Sequence, residues 1–384
     1  MVLKIKLITV FFLGVCCFLM AQEDSTKITF NGQFTGWEVG QFENPFGIQF
    51  GGRFVPTLLG NFNTAPKNKI DFESSLNING SSNFAGLRYD RLTGQFKPYR
   101  VWVRYSTEKW EVRLGLQKIN FGSAKLFRPL MWFDGVDIRD PLQLTDGVYG
   151  VLGRYYFPNN TNIWLWSLIG NKNPKGYEMI GTAQWQPETG GRVQVPAGPG
   201  ELALSTNLRK VDVHNLFPVA PANMLLNEKR IGLDGKWDLG IGLWFESSIT
   251  VLDANTYNLP RVQDLWNIGA DYTFGVGSGL GMTLEYFRVH AGDKFLANGT
   301  SVNVIGSMFT YPVSILDNLS AMFFYIPGPD LMLNYVNWSR TYDNWTLYAI
   351  GYWNPSNFQL LSTQSQSKNL FAGKGIQLMV NYNF

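Results

Sequence analysis

Hydrophobic and polar residues alternate at a period of two along most of this chain. In 110–118, Trp110, Val112, Leu114 and Leu116 fall on one side, and Glu111, Arg113 and Gln117 on the other. In 230–239, Ile231, Leu233, Trp237 and Leu239 oppose Arg230, Asp234, Lys236 and Asp238. In 201–209, Leu202, Leu204 and Leu208 oppose Glu201, Ser205, Asn207 and Arg209. Successive side chains of a strand point to opposite faces, so each stretch has one apolar and one polar face. About eighteen segments read as strands, near 28–40, 47–60, 69–80, 96–107, 110–122, 148–158, 162–170, 190–196, 201–211, 228–239, 241–253, 264–276, 279–290, 301–313, 318–327, 331–342, 344–354 and 374–384.

The connections carry a second pattern. Tight links at 107–109, 159–161, 197–200, 240, 277–278, 316–317 and 343 alternate with long ones at 81–95, 123–147, 171–189, 212–227, 254–263, 291–300 and 355–373. A closed antiparallel barrel in an outer membrane has short turns on its periplasmic side and longer loops outside. A soluble sandwich would repeat at about 100 residues and a propeller at about 40–50; neither repeat is present. The expected fold is all-β, a transmembrane up-and-down antiparallel barrel of about eighteen strands, with sixteen as the alternative. Whether residues 22–66 form strands or a plug is left open.

The last stretch, GIQLMVNYNF, alternates Ile376, Leu378, Val380, Tyr382 and Phe384 with Gln377, Met379, Asn381 and Asn383. A final amphipathic strand ending in Phe384, with Tyr382 two residues earlier, resembles Gram-negative outer-membrane β-barrel proteins. That resemblance implies recognition of the Phe384 end by the barrel-assembly machinery and contact with outer-membrane lipid. The alternating loops and arginine-bearing polar faces resemble porins of about 16–18 strands, including substrate-selective and alginate-export channels. The acidic constriction-loop motif of the trimeric general-diffusion porins is not present.

Composition sharpens this picture. Aromatic residues make up 15% of the 384 positions, with 40 glycines. Tyr155, Phe157, Trp164, Trp166, Trp237, Tyr272, Trp338, Tyr342, Trp345, Tyr348 and Trp353 crowd near strand ends, as expected of rings at the membrane interfaces. The net charge of +3 gives no polycation for nucleic acid. The N-terminus reads as a cleaved signal peptide over 1–21: Lys4 and Lys6, an apolar run from Leu7 to Met20, then Ala21. Its removal takes Cys16 and Cys17, so the mature chain, 22–384, has no thiol chemistry.

The inward faces predict the bore. Arg53, Arg100, Arg104, Arg113, Arg154, Arg192 and Arg209 would line it on strands two to nine, and Asp234, Asp238, Glu246, Asp271 and Glu285 on strands ten to thirteen. One wall would then be basic and the other acidic, or the charges would mostly pair with one another. Asp71 and Glu73 beside the basic wall favour the second view. Guanidinium groups suit carboxylate and phosphate partners, and such charges can select anions.

The stretch RPLMWFDGVDIRDP, within 123–147, is too long for a plain connection. It is expected to fold inward and narrow the bore, its apolar run packed on the wall. Arg128, Asp134, Asp137, Arg139 and Asp140 would face water and the arginine wall. The three aspartates do not have the spacing of a known calcium loop, so no metal and no cofactor is expected. With only His214 and His290 present and no G-x-S-x-G elbow, no enzyme is expected either. GVGSGLG at 275–281 reads as a tight hairpin, since it lacks the Lys-Ser/Thr ending of a phosphate loop. The function expected is passive passage of small hydrophilic, in part anionic, solutes. A plugged carrier of hydrophobic compounds or a non-conducting scaffold is the alternative; a homo-oligomer is left open.

Overall fold

Alternation of exposed apolar and buried polar residues runs along nearly every strand, and it is inverted relative to a soluble protein. Ile231, Leu233, Leu204, Leu208, Leu284 and Ile376 are exposed, whereas Arg192, Asn207, Arg209, Asp234, Glu246 and Glu285 are buried. Leu165 is 64% exposed and Glu246 0%. A sheet with an apolar outer face and a charged inner face is stable only when lipid takes the place of water outside.

The computed structural model describes residues 26–43, 46–86, 88–218, 220–221, 224–253, 259–356 and 371–384. The signal peptide expected at 1–21 and much of the 355–373 connection lie outside these residues. The strands are β1 (Thr26–Gln41), β2 (Gly47–Ala65), β3 (Asn68–Ala85), β4 (Arg88–Ser106), β5 (Trp110–Gln117), β6 (Val148–Tyr156), β7 (Asn162–Leu168), β8 (Glu188–Ala197), β9 (Gly200–Asp212), β10 (Leu225–Asp238), β11 (Gly242–Leu252), β12 (Val262–Phe274), β13 (Leu280–Lys294), β14 (Ala297–Pro312), β15 (Asp317–Ile326), β16 (Leu331–Thr341), β17 (Trp345–Trp353) and β18 (Lys374–Asn383). Each pairs antiparallel with its sequence neighbours, and β1 also pairs with β18, which closes an 18-stranded barrel. The closing seam aligns Gln33 with Asn383 and Gln41 with Gly375. There Phe384 exchanges backbone hydrogen bonds with Gly32 and stacks on Tyr382 and Phe54.

Two long connections expected at 81–95 and 291–300 are strand instead. β3 and β4 stay paired up to Ala85 and Arg88, and β13 and β14 up to Lys294 and Ala297. Both stretches mix scattered apolar residues with Gly, Asn and charged side chains, so the period-two signal fades although the ladder continues. Within 22–66, β1 and β2 are wall, not plug. In the opposite direction β5 stops at Gln117, five residues early, and the chain turns into the barrel after it.

A β-bulge shapes β4. Ser75 pairs with Arg100 and Leu76 with Pro98, so Tyr99 is the extra residue. Pro98 has no N–H for the ladder, and the bulge flips the phase. Leu92 and Phe96 are exposed before it, Val101 and Val103 after it. Arg100 and Arg104 thereby come to the inner face.

The apolar core lies inside the barrel, between wall and inward-folded chain. One cluster joins Leu126 and Phe127 to Leu265, Phe287, Val304, Phe324 and Tyr335. A second joins Ile119, Phe121, Leu130, Trp132 and Phe133 to Leu152, Trp166 and Leu168. A third gathers Ile180, Val211, Val213 and Leu252 under the connections at one mouth.

Candidate functional site: a bore crossed by one loop

Residues 118–147, between β5 and β6, cross the bore. Ile119 and Phe121 enter first, and Phe121 stacks on Trp166 of β7, centroids 5.7 Å apart. At Gly122, φ +102°, a Cβ would strike the Glu246 carboxylate; only glycine combines this backbone with so close an approach. Beyond it two wall carboxylates hold the loop's backbone. Glu246 of β11 accepts from the N–H groups of Ala124 at 3.0 Å and Leu130 at 2.6 Å. Glu285 of β13 accepts from Lys125 at 2.7 Å, Leu126 at 3.1 Å and Phe127 at 2.8 Å, and also from Trp244 Nε1 and Asn267 Nδ2. Successive N–H groups turned to one side form a concave anion site. Here the anion is a side chain of the opposite wall. Lys125 Nζ meets Asp271.

Two wall glycines make room for the loop's apolar residues. A Cβ on Gly306 of β14 would lie 2.6 Å from the Phe127 ring, and one on Gly232 of β10 would collide with Leu130. Phe127 stacks on Phe287, centroids 5.1 Å apart and 4° from parallel. Trp132 donates to Ser248 Oγ at 2.9 Å. Leu130, Met131, Trp132 and Phe133 are all buried.

The loop's charges are handled differently from the sequence expectation. Asp134 is buried, pairs with Arg128 at 3.2 Å and does not face water. Arg139 is buried as well; it forms a fork with Asp137 and lies over the Phe371 ring. Asp140 accepts from the N–H of Leu142. The three aspartates thus have three separate partners, and no cluster of three or more metal-ligating side chains occurs among the described residues. On its return the loop is fixed to β4: Arg100 donates to the Thr145 carbonyl at 2.8 Å, and Lys97 pairs with Asp146 at 2.6 Å.

The wall charges interleave instead of segregating. Arg104 forks onto Asp71 and also reaches Glu111, whose other oxygen receives Arg154. Arg192 of β8 crosses β9 to Asp234 of β10 at 2.6 and 2.9 Å. Arg209 and Arg230 share Glu228 and Glu178. Glu178 lies in the 169–187 connection, and no strand pattern pointed to it. Asp238 is exposed beside the 239–241 turn, where it accepts from Gly240 N–H; it lies past the end of the bore wall.

Three bore arginines are different. Among the described residues, Arg53, Arg100 and Arg113 form no ion pair with a carboxylate. Each lies on a ring: Arg53 over Trp37 at 5.7 Å, Arg100 over Tyr99 at 4.0 Å, and Arg113 over Trp102 at 4.5 Å. Stacking holds a guanidinium flat. Arg53 and Arg113 are half-buried, whereas Arg100 is buried and donates to the carbonyls of Tyr99 and Thr145. Asp140 and Arg53 are near enough to interact electrostatically. Next to this group the inner faces of β1, β2, β3 and β18 carry amides and hydroxyls bonded to one another: Thr35 to Asn381, Gln33 to Asn383, Gln49 to Asn83 and Asn79 to Asn77.

The aromatic residues divide between the two faces. Tyr155, Phe157, Tyr272, Tyr342, Trp345 and Trp353 are exposed on the outside. Trp164 and Trp166, expected in the same belts, point inward, the first under Arg154 at 3.8 Å and the second bonded to Asn207. Both faces of β7 are apolar, so period alone could not orient it. His290 is tied by Nδ1 to Asp264 at 2.7 Å, and Ser301, directly opposite His290 on β14, accepts from Arg288.

No protein-family model matches the chain, and no curated protein sequence matches it either. Solved structures do. OccAB4 of Acinetobacter baumannii aligns over 94% of this chain and 99% of its own, with TM-score 0.53 and 10% identity. OccAB1 of the same organism aligns over 94% and 96%, with TM-score 0.53 and 9% identity. OmpF of Salmonella typhi aligns over 94% and 98%, with TM-score 0.51 and 9% identity. At such identities the likeness is one of fold: a closed β-barrel spanning nearly the whole of both chains.

Proposed function

We propose that this barrel is an outer-membrane porin through which small hydrophilic solutes diffuse, anions in preference. One observation carries it. An apolar outer wall encloses a polar bore, and the bore retains three ring-stacked arginines that form no ion pair among the described residues. A solute carboxylate or phosphate can meet Arg53 and Arg113 without first breaking an ion pair, and Arg100, bonded to the Thr145 carbonyl, adds its positive charge from a buried position. The amide-rich faces of β1–β3 and β18 offer a continuous series of hydrogen-bonding groups in place of the solute's water. The 118–147 loop takes up the side of β7 and β10–β15 and so sets the narrowest section. Export through a leader ending near Ala21, and insertion by a C-terminal strand ending in Phe384, complete this reading.

The test is conductance in planar bilayers. The full barrel should form discrete open channels, and a salt gradient should give a reversal potential on the anion side. A barrel that inserts but never conducts would reject the porin in favour of a plugged carrier or a scaffold. A cation-side potential would reject the anion preference alone.

A further inference from the structure

The outer face of β12–β14 changes from apolar to polar toward the long connections. Its lower part is apolar, with Ile268, Leu284 and Ile305 exposed. Positions two apart on a strand, and positions directly opposite on its neighbour, share a face. On that same outer face the register aligns Ile268 with Tyr286 and Ile305, then Trp266 with Arg288 and Asn303, then Asp264 with His290 and Ser301. Arg288 therefore points outward, toward lipid.

Among the described residues it forms no ion pair with an acid. Its Nη2 donates to Ser301 Oγ at 3.3 Å, and its Nε is buried without a partner. The nearby carboxylate of Asp264 is already engaged, by His290 Nδ1 at 2.7 Å and Trp266 Nε1 at 3.0 Å. Arg340, another outward arginine, differs: it lies beside a periplasmic turn and reaches Asp317 at 3.5 Å. A guanidinium on a lipid-facing wall that lacks a protein counter-ion needs one from the membrane.

Its height on the wall says which part of the membrane. β13 begins at Leu280, so Arg288 stands about nine residues up. A transmembrane strand crosses the hydrocarbon in about 9–11 residues. Tyr286 and Tyr325, exposed just below on β13 and β15, are rings of the interfacial belt. Arg288 thus sits at the level of the outer-leaflet headgroups, on the side of the long connections.

We propose that the outer wall of β12–β14 binds the phosphate of a phosphorylated outer-leaflet lipid. Arg288 presents its fork to the phosphate oxygens, a geometry suited to paired N–H···O contacts. Ser301 Oγ–H adds a donor. Asn303 accepts from Tyr286 through Oδ1 at 2.9 Å, which orients its amide NH₂ group as a further donor. His290 stands beside them, its ring fixed by Asp264. The proposal rests on the reading of the barrel as a membrane protein with its long connections outside.

The experiment inserts the full barrel into phosphatidylcholine vesicles with or without lipid A, a bis-phosphorylated glycolipid, then counts retained lipid A by native mass spectrometry after detergent extraction. Wild type and Arg340→Gln should retain lipid A, and Arg288→Gln should retain about tenfold less, while all three insert equally. Equal retention by Arg288→Gln overturns the site alone. Inorganic phosphate that binds through Arg288 while lipid A does not would overturn the lipid assignment in favour of a free anion. Failure of the wild type to insert into vesicles of either composition overturns the membrane reading, and this site with it.

Discussion

Glu285 on β13 receives the backbone N–H of Phe127 at 2.8 Å, so a loop that leaves one side of the barrel is fastened at the far side. Four more donors converge on the same carboxylate. In Glu285→Gln one oxygen becomes an NH₂ group facing N–H groups, and at least one buried donor is left unmet. Each such loss costs about 1–3 kcal/mol. The variant should show larger or fluctuating single-channel conductance and a lower unfolding temperature in detergent. A conductance trace identical to wild type would mean that Glu285 does not hold the loop in place.

The three unpaired arginines predict selectivity. Arg53→Gln, Arg100→Gln and Arg113→Gln together should move the reversal potential in a potassium chloride gradient toward cations. The ion pairs of the wall are untouched by these changes; the costs are the ring stacking, about 0.5–2 kcal/mol per site, and the Arg100 hydrogen bond to the Thr145 carbonyl, about 1.5–3 kcal/mol. An unmoved potential would place the anion preference elsewhere.

Arg192 and Asp234 give the opposite case. Both side chains are within a few per cent of full burial. Arg192→Gln alone leaves a buried carboxylate uncompensated, at a cost of about 3–5 kcal/mol. Replacing both with apolar residues of similar volume should recover most of that loss, because desolvation of the pair offsets much of its attraction. A double variant as unstable as the single one would show the pair to be net stabilising.

The strand pattern and the alternation of connections were readable from the chain because lipid outside and water inside impose opposite demands on neighbouring residues. The eighteen segments fall where apolar and polar residues alternate. The pattern fails where that contrast fails. Residues 81–95 carry apolar residues too sparsely to mark a face, β7 is apolar on both because Phe121 and Phe133 pack on its inner side, and Pro98-Tyr99 shifts the phase of β4. The charged bore residues were legible by type and face, but their partners were not. Arg192 meets Asp234 across an intervening strand, and Glu178 arrives from a connection; both depend on curvature and loop path. Gly232 and Gly306 carried no signal at all, since a niche is visible only when its occupant is known.

Acid should sharpen the anion preference. Burial pushes the Asp140 carboxyl above the usual carboxylate range, against the opposing pull of the Leu142 N–H and Arg53. As pH falls, Asp140 binds its proton before an exposed aspartate would, and the bore loses a negative charge near Arg53. The folded form holds that proton more tightly than the unfolded chain. Its contribution to stability is therefore present at low pH and lost as pH rises through the folded-state value. Asp140→Asn should abolish the acid-side step in reversal potential while leaving the neutral-pH channel open. A step of the same size in the variant would assign it to another group.

The glycine niches predict a way to widen the bore without cutting the loop. At Gly306 a Cβ would sit 2.6 Å from Phe127 and 3.1 Å from Leu126, both on the loop, and 3.2 Å from the wall residue Phe324; the closest clash is with the loop. Its backbone is ordinary extended strand, so a β-branched residue suits the position locally. Gly306→Val should therefore leave β14 intact and push the Phe127 ring off Phe287. The lost stack and burial amount to several kcal/mol, about 3–5 for a large aromatic, and fall on the loop's anchorage while the wall stays paired. The expected result is an inserted barrel with raised conductance and a cleavage site for added protease within 118–147. Phe127→Ala should reproduce the conductance without any change in the wall. If Gly306→Val conducts like wild type and Phe127→Ala does not, the ring has found room within the niche. If both conduct like wild type, the loop's docking on β13–β15 does not set the width of the bore.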